Sequence, residues 1–236
     1  MVMNVAFISR NDRGKIPKPG AISLANHGVL FLDELPEFNR DVLEALREPL
    51  ETGQVDIARV QQHVTYPAHV QLVAAFNPTP SGYFPDDPLG RCKDTPNQIS
   101  RYLKKLSGPL LDRIDCHIEV PAVEIAALQS AKPDGETSVQ IRYRVAENQQ
   151  RQISRQGCLN GELSNQRLNQ AVQLDQPTQD LLAQSIKRFG LSARGYYRIL
   201  RLALTIADMQ ASDSIQIEHL AEALSYRLSQ RLADLF

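Results

Sequence analysis

The chain has 236 residues, with 26 Lys and Arg against 27 Asp and Glu and a formal net charge of -1. Its apolar share of 42% and charged share of 22% suit one domain or two small ones, and exclude collagen, a disulfide scaffold and wholesale disorder. Balanced charge confines any nucleic-acid contact to a local patch. The three cysteines, Cys92, Cys116 and Cys158, are far apart with no CxxC pair, so a reducing cytoplasm is the expected compartment.

No apolar run approaches the ~18 residues of a membrane span. Met1 to Arg13 lacks the basic start and long apolar stretch of a signal peptide. A short helical stretch, Ile22 to Asn26, precedes Gly28, which is expected to cap it. Val29 to Leu32 is a continuous apolar run, the pattern of a strand buried on both faces. It stops at Asp33-Glu34. Asn39 or Asp41 can cap one helix through Leu43, Leu46 and Leu50, ending before Gly53. Gln54 to Arg59 and His63 to Tyr66 read as hairpin arms. His69 to Phe76 reads as a second buried strand ending at Asn77-Pro78. Asn97 to Leu106 reads as a helix and His117 to Val120 as a third strand.

Composition shifts near Pro121, from Gly- and Pro-punctuated apolar runs to a half rich in Gln, Leu, Ala and Arg at helical spacing. Helices are predicted near Val123 to Gln129, Ser138 to Arg155, Asn165 to Leu174, Gln179 to Phe189, Ala193 to Met209 and Ile217 to Ser229. Ser192 is placed to cap the fifth and Gly190 to close the fourth.

A buried strand that delivers two carboxylates to its C-terminal end places them where open α/β sheets bind ligands. Asp33 there can hold Mg²⁺ through its water shell. Glu34 can deprotonate a water for attack on a terminal phosphate. The plain alternative is a strand end and a polar turn. Asn77, ending the other apolar strand, can position that water or simply form an Asn-Pro turn. Arg113, between Asp112 and Asp115, reads as a surface ion pair or as an arginine reaching a neighbour's phosphate. Arg194 sits in a helix's first turn, where the macrodipole disfavours a cation unless an anion is held there. Arg194, Arg198 and Arg201 share one helical face, either an anion-binding stripe or a solvated one. Arg59, near the hairpin tip, is a DNA-backbone contact or a solubilising loop residue. Arg101, Lys104 and Lys105 read as a solvated face. The five His residues show no metal-ligand spacing.

The order of these features is more specific than any one of them. Gly28-Val29-Leu30-Phe31-Leu32-Asp33-Glu34-Leu35-Pro36-Glu37-Phe38, Leu46-Arg47-Glu48-Pro49-Leu50-Glu51, Leu72 to Pro78, Leu106 to Pro109 with Leu111-Asp112-Arg113, and Leu191 to Tyr196 follow one another. Together they resemble the pre-sensor-1 hairpin group of AAA+ ATPases, and within it the ComM/YifB family of Mg-chelatase-like proteins, from about Ile16 onward. The resemblance implies Walker B acids at Asp33 and Glu34, sensor 1 at Asn77, an arginine finger at Arg113, sensor 2 at Arg194 and a pore-facing hairpin tip at Arg59. It implies a homo-hexamer that uses ATP and Mg²⁺ for DNA branch migration in natural transformation. The fold implied is a partial P-loop α/β subdomain over residues 16-122, then an all-α lid over 123-236, after a divergent segment 1-15.

Two departures stand out. Only Cys92 stands where many family members carry a Cys cluster, so zinc is not expected. The sequence contains no G-x-x-x-x-G-K-[ST] motif, so the nest and Lys that cradle phosphates are missing. Three readings follow: the C-terminal portion of a ComM-type motor that does not bind ATP by itself, a non-enzymatic module docking on intact subunits, or a magnesium-chelatase-type motor subunit. Without the P-loop strand, strand edges go unpaired, which predicts marginal stability or aggregation.

Overall fold

The computed structural model describes residues 18-59, 62-121, 123, 135-227 and 235. They form two compact units, one reaching Ile114 and the other running from Asp115 to Ser229.

The first unit is mixed α/β. α1 (Ala21–Leu24) ends in a turn in which His27, at φ 58°, takes the left-handed conformation expected of Gly28. The His27 N–H donates to His69 O at 2.6 Å, and Asn26 Oδ1 accepts from the His69 N–H at 2.9 Å. These bonds tie together the segments that enter β1 (Val29–Leu32) and β4 (Gln71–Ala74). The two strands pair in parallel, Val29 opposite Gln71 and Leu32 opposite Ala74. Burial on both faces does not hold. Leu30 and Leu32 are buried, but Val29 is 63% and Phe31 58% exposed. The pleat sends alternate side chains to opposite faces, and only one face is covered by described residues.

The single helix expected up to Gly53 is two, α2 (Arg40–Ala45) and α3 (Pro49–Thr52). Pro49 has no N–H to give the first helix and restarts a second at its first position. Gly53, at φ 71°, ends it in the left-handed conformation. β2 (Gln54–Arg59) and β3 (Gln62–Pro67) form the expected antiparallel hairpin. α4 (Pro96–Leu103) is started by a Thr95–Gln98 capping box and α5 (Gly108–Leu111) by the Ser107 hydroxyl. Leu35, Leu43, Leu46, Leu103 and Leu110 are fully buried in this unit.

The third strand expected at His117 to Val120 is irregular chain, with Ile118 and Val120 exposed. Among the described residues it has no ladder partner. The His117 N–H instead donates to Tyr226 O at 2.7 Å.

The second unit is helical: α6 (Ser138–Gln156), α7 (Asn165–Ala171), α8 (Gln176–Phe189), α9 (Ala193–Met209) and α10 (Ile217–Ser225). These match the predicted helices with shifted ends. The helix expected at 123-129 lies outside the described residues except Val123. α9 is the central element, burying Ile199, Leu200, Ala203, Leu204, Ile206 and Ala207 against Leu168, Leu182 and Leu220. Ser192 Oγ accepts from the Gly195 N–H at 3.1 Å, and Gly190 closes α8 at φ 59°. Both caps are as predicted. Among the described residues no helix is long and apolar enough to cross a membrane.

Candidate functional site

Asp33 and Glu34 leave the C-terminal end of β1, where the parallel ladder continues briefly. The Ala75 N–H donates to Leu32 O at 2.8 Å, and the Leu35 N–H to Ala75 O at 3.0 Å. Between these bonds the chain turns sharply at Glu34, whose φ of 51° and ψ of 48° are left-handed. For a residue with a Cβ this conformation costs about 1–3 kcal/mol and collects at functional sites. The Glu34 N–H donates to Asp33 Oδ1 at 2.9 Å, stabilising the turn. Leu35 and Pro36 follow as buried anchors, so the turn is fixed from below while both carboxylates stay exposed.

Asn77 leaves the adjacent strand end on the same sheet edge. Its side chain faces Gly82: a Cβ built on Gly82 would lie 3.9 Å from Asn77 Cγ and Nδ2. The loop beyond is held by a polar knot. Thr79, fully buried, donates its hydroxyl to Tyr83 O at 2.7 Å, and Asp94 Oδ2 accepts from the Ser81 N–H at 2.8 Å. Bonding from the Ser81 side chain holds the Asp94 carboxyl below its usual range. Cys92 Sγ lies 3.9 Å from the same Asp94 oxygen. Among the described residues no group of three metal-ligating side chains exists.

Tyr102 on α4 was not singled out in the sequence, where it looks like any aromatic on the apolar face of a helix. It is buried beside Phe76, Ile99 and Leu103. Its hydroxyl is pushed up to about 12 by burial and by the Glu37 and Glu34 carboxylates, against the opposing effect of the Asn77 backbone amide. One phenol therefore senses both strand ends.

Arg113 is not a surface side chain, and it reaches an acid far from its sequence neighbours. Its side chain is 7% exposed. Nε donates to Arg47 O at 3.1 Å, Nη1 to Pro109 O at 2.6 Å and Nη2 to Glu51 Oε2 at 2.5 Å. Glu51 is a second residue that sequence reading passed over, as one acid among several at a helix end.

Arg194 is in the second unit, exposed in the first turn of α9. The stripe it was grouped with is occupied by structural contacts. Arg198 Nη1 donates to Asp115 Oδ1 at 2.5 Å, and Arg201 Nη2 to Leu163 O at 2.9 Å and Asn165 Oδ1 at 2.8 Å. Arg59 is the last residue of β2, and its side chain lies outside the described residues. Lys105 Nζ is 3.8 Å from Glu37 Oε2, as suits a solvated basic face.

The donor set at the β1 end fits a hard divalent cation: two exposed carboxylates, with only Oδ1 of Asp33 engaged by the turn. Among the described residues too few protein ligands are present for a dedicated cage, which suits Mg²⁺ held largely by water and phosphate oxygens.

The family model described as magnesium chelatase, subunit ChlI, matches residues 4-128, and that described as its C-terminal part matches residues 135-227. The chain is 47% identical over 219 residues to competence protein ComM of Haemophilus influenzae, covering 93% of this chain and 42% of that protein. It is 46% identical over 219 residues to YifB of Escherichia coli, covering 93% and 43%. Over 113 residues it is 30% identical to DNA replication licensing factor mcm4 of Schizosaccharomyces pombe, 47% of this chain and 12% of that one. The chain thus spans about two-fifths of the length of its ComM and YifB relatives. With both family models matched along its length, it belongs to the Mg-chelatase-like ComM/YifB family, of whose members it corresponds to a fragment.

Proposed function

We propose that this chain is the hydrolysis and lid portion of a ComM-type AAA+ ATPase, whose ATP turnover in a homo-hexameric cytoplasmic ring drives DNA branch migration in natural transformation. The observation that carries the reading is the left-handed Glu34 beside Asp33 at the end of β1, with Asn77 at the end of the adjacent parallel strand. A strained backbone that exposes two acids is hard to explain as a plain turn.

In this reading Asp33 holds Mg²⁺ through water, and the ion supplies charge neutralisation for the transferring phosphate. Glu34 takes the proton of the attacking water, and Asn77 orients that water through its side-chain amide. Arg113 acts on a neighbouring subunit's nucleotide, Arg194 binds phosphate from the lid, and Arg59 touches DNA from the hairpin. The phosphate cradle is not in this sequence and has to come from another segment or subunit.

The test is a chimera in which the 219 aligned residues of this chain replace their counterparts in Haemophilus influenzae ComM. DNA-stimulated ATP hydrolysis is expected, with Glu34→Gln lowering kcat at least 100-fold while nucleotide binding persists. A chimera without hydrolysis defeats the reading.

A second reading is a module that docks on intact subunits, which the exposed Val29 and Phe31 of β1 would suit. Native-state mass spectrometry of the chain mixed with whole ComM would show mixed oligomers in that case.

A further inference from the structure

Arg113 poses a problem for any action on a neighbouring subunit. A guanidinium that meets a phosphate in trans has to be accessible, yet this one is 7% exposed. Two of its donors go to backbone carbonyls, Arg47 O and Pro109 O. Those contacts aim the side chain but carry no countercharge. A countercharge comes from Glu51, at 2.5 Å from Nη2 and itself 44% exposed. Glu51 is the penultimate residue of α3, one before Thr52 and two before the left-handed Gly53. Arg113 lies just beyond α5. The pair therefore joins two short helices 62 positions apart in sequence.

The energetics of such a pair are set by exchange. A carboxylate on one guanidinium edge gives a charge-assisted bond. A terminal phosphate offers more charge and more acceptor oxygens to the same planar donor fork. Because Glu51 is partly solvated, it can rehydrate when displaced, so release costs less than breaking a fully buried pair.

We propose that Glu51 is a positioning residue for Arg113: its carboxylate parks the guanidinium within its own chain, and a neighbouring subunit's terminal phosphate displaces it. This rests on the reading of Arg113 as an arginine that acts in trans. Parking keeps the arginine from binding stray anions and makes its use conditional on a correctly placed phosphate.

Two measurements test this. In the first, the full chain is treated with phenylglyoxal and modification at each arginine is followed by peptide mass mapping. Arg113 is expected to react at least tenfold more slowly than exposed Arg142 on α6. Glu51→Gln should remove most of that protection with an unchanged far-UV spectrum, and Glu51→Asp, which keeps the charge, should retain it. Equal reactivity of Arg113 and Arg142, or unchanged protection in Glu51→Gln, overturns the proposal. So does unfolding of both variants, which would make Glu51 a structural residue only.

In the second, the ComM chimera reports kcat and KM for ATP. Glu51→Gln should raise the DNA-free kcat at least threefold with KM unchanged, and Arg113→Ala should abolish turnover. A chimera that hydrolyses ATP but shows an unchanged or lowered kcat in Glu51→Gln overturns this proposal alone. A chimera with no turnover, or one indifferent to Arg113→Ala, overturns the functional reading beneath it.

Discussion

Tyr102 reports on both strand ends at the acidic edge. Its phenol is held neutral up to about 12 by burial and the Glu37 and Glu34 carboxylates. An unfolded tyrosine ionises near 10. Between those values the folded chain binds more protons than the unfolded one, so stability falls as pH rises through the window from about 10 to about 12. Below 10 the contribution is fully present. Thermal melts of wild type and Tyr102→Phe across pH 9 to 11 should therefore converge, the wild type losing more stability on the alkaline side. Parallel curves would remove Tyr102 from the account.

Gly53 and Gly90 separate two further residue-scale costs. Both have positive φ, 71° and 60°. A Cβ on Gly90 meets nothing within 4 Å, while one on Gly53 would sit 2.2 Å from His69 Cε1. Gly90→Ala is expected to cost about 1 kcal/mol, the left-handed penalty alone. Gly53→Ala should cost about 2–3 kcal/mol in urea denaturation, since an overpacked ring must also move. Equal costs would mean that His69 yields freely.

At the scale of elements, the local signals were legible. The apolar run ending in Asp33-Glu34, the hairpin arms and the caps of α8 and α9 all rest on neighbours in sequence, and they stand in the structure. What sequence missed depends on partners. An apolar run cannot say whether one face or two are covered, so exposed Phe31 read as buried. His117 to Val120 has β composition but no ladder partner among the described residues. Arg113 has acids on both sides in sequence, and it also bonds Glu51, 62 positions away, which no local pattern announces.

The same holds for the network at the end of α9. Asp208 is buried and accepts from Arg155, and from Asn160 Nδ2 at 2.8 Å. Asn160 in turn bonds Thr205, Gln152 and Gln156. Three elements are pinned by one carboxylate. Asp208→Asn keeps the shape and removes the charge, leaving Arg155, which is 34% exposed, to find water. We expect a loss of about 1–3 kcal/mol. Arg155→Met with Asp208→Leu should recover part of it, because an apolar pair leaves no orphaned charge. A double variant worse than the single one would show that the network holds the fold by its hydrogen bonds instead.

At the scale of the whole molecule, the two units differ in how their apolar surface is closed. The helical unit surrounds α9 on several sides and buries Leu168, Ile199, Leu200 and Leu220 almost completely. Among the described residues, the α/β unit has two two-stranded sheets and one uncovered face carrying Val29, Phe31 and Val73. Unclosed parallel strands are weak and prone to pair with other chains. The expectation of marginal stability thus sharpens from the whole chain to one unit. Calorimetry should show two transitions, with the α/β unit melting first and the helical far-UV signal persisting beyond it. Phe31→Lys, placed on the exposed face, should lower aggregation in that first transition without lowering its midpoint, because no packing is lost. A single cooperative transition, or a midpoint that drops with Phe31→Lys, would show that this face is covered and that the sheet is closed in solution.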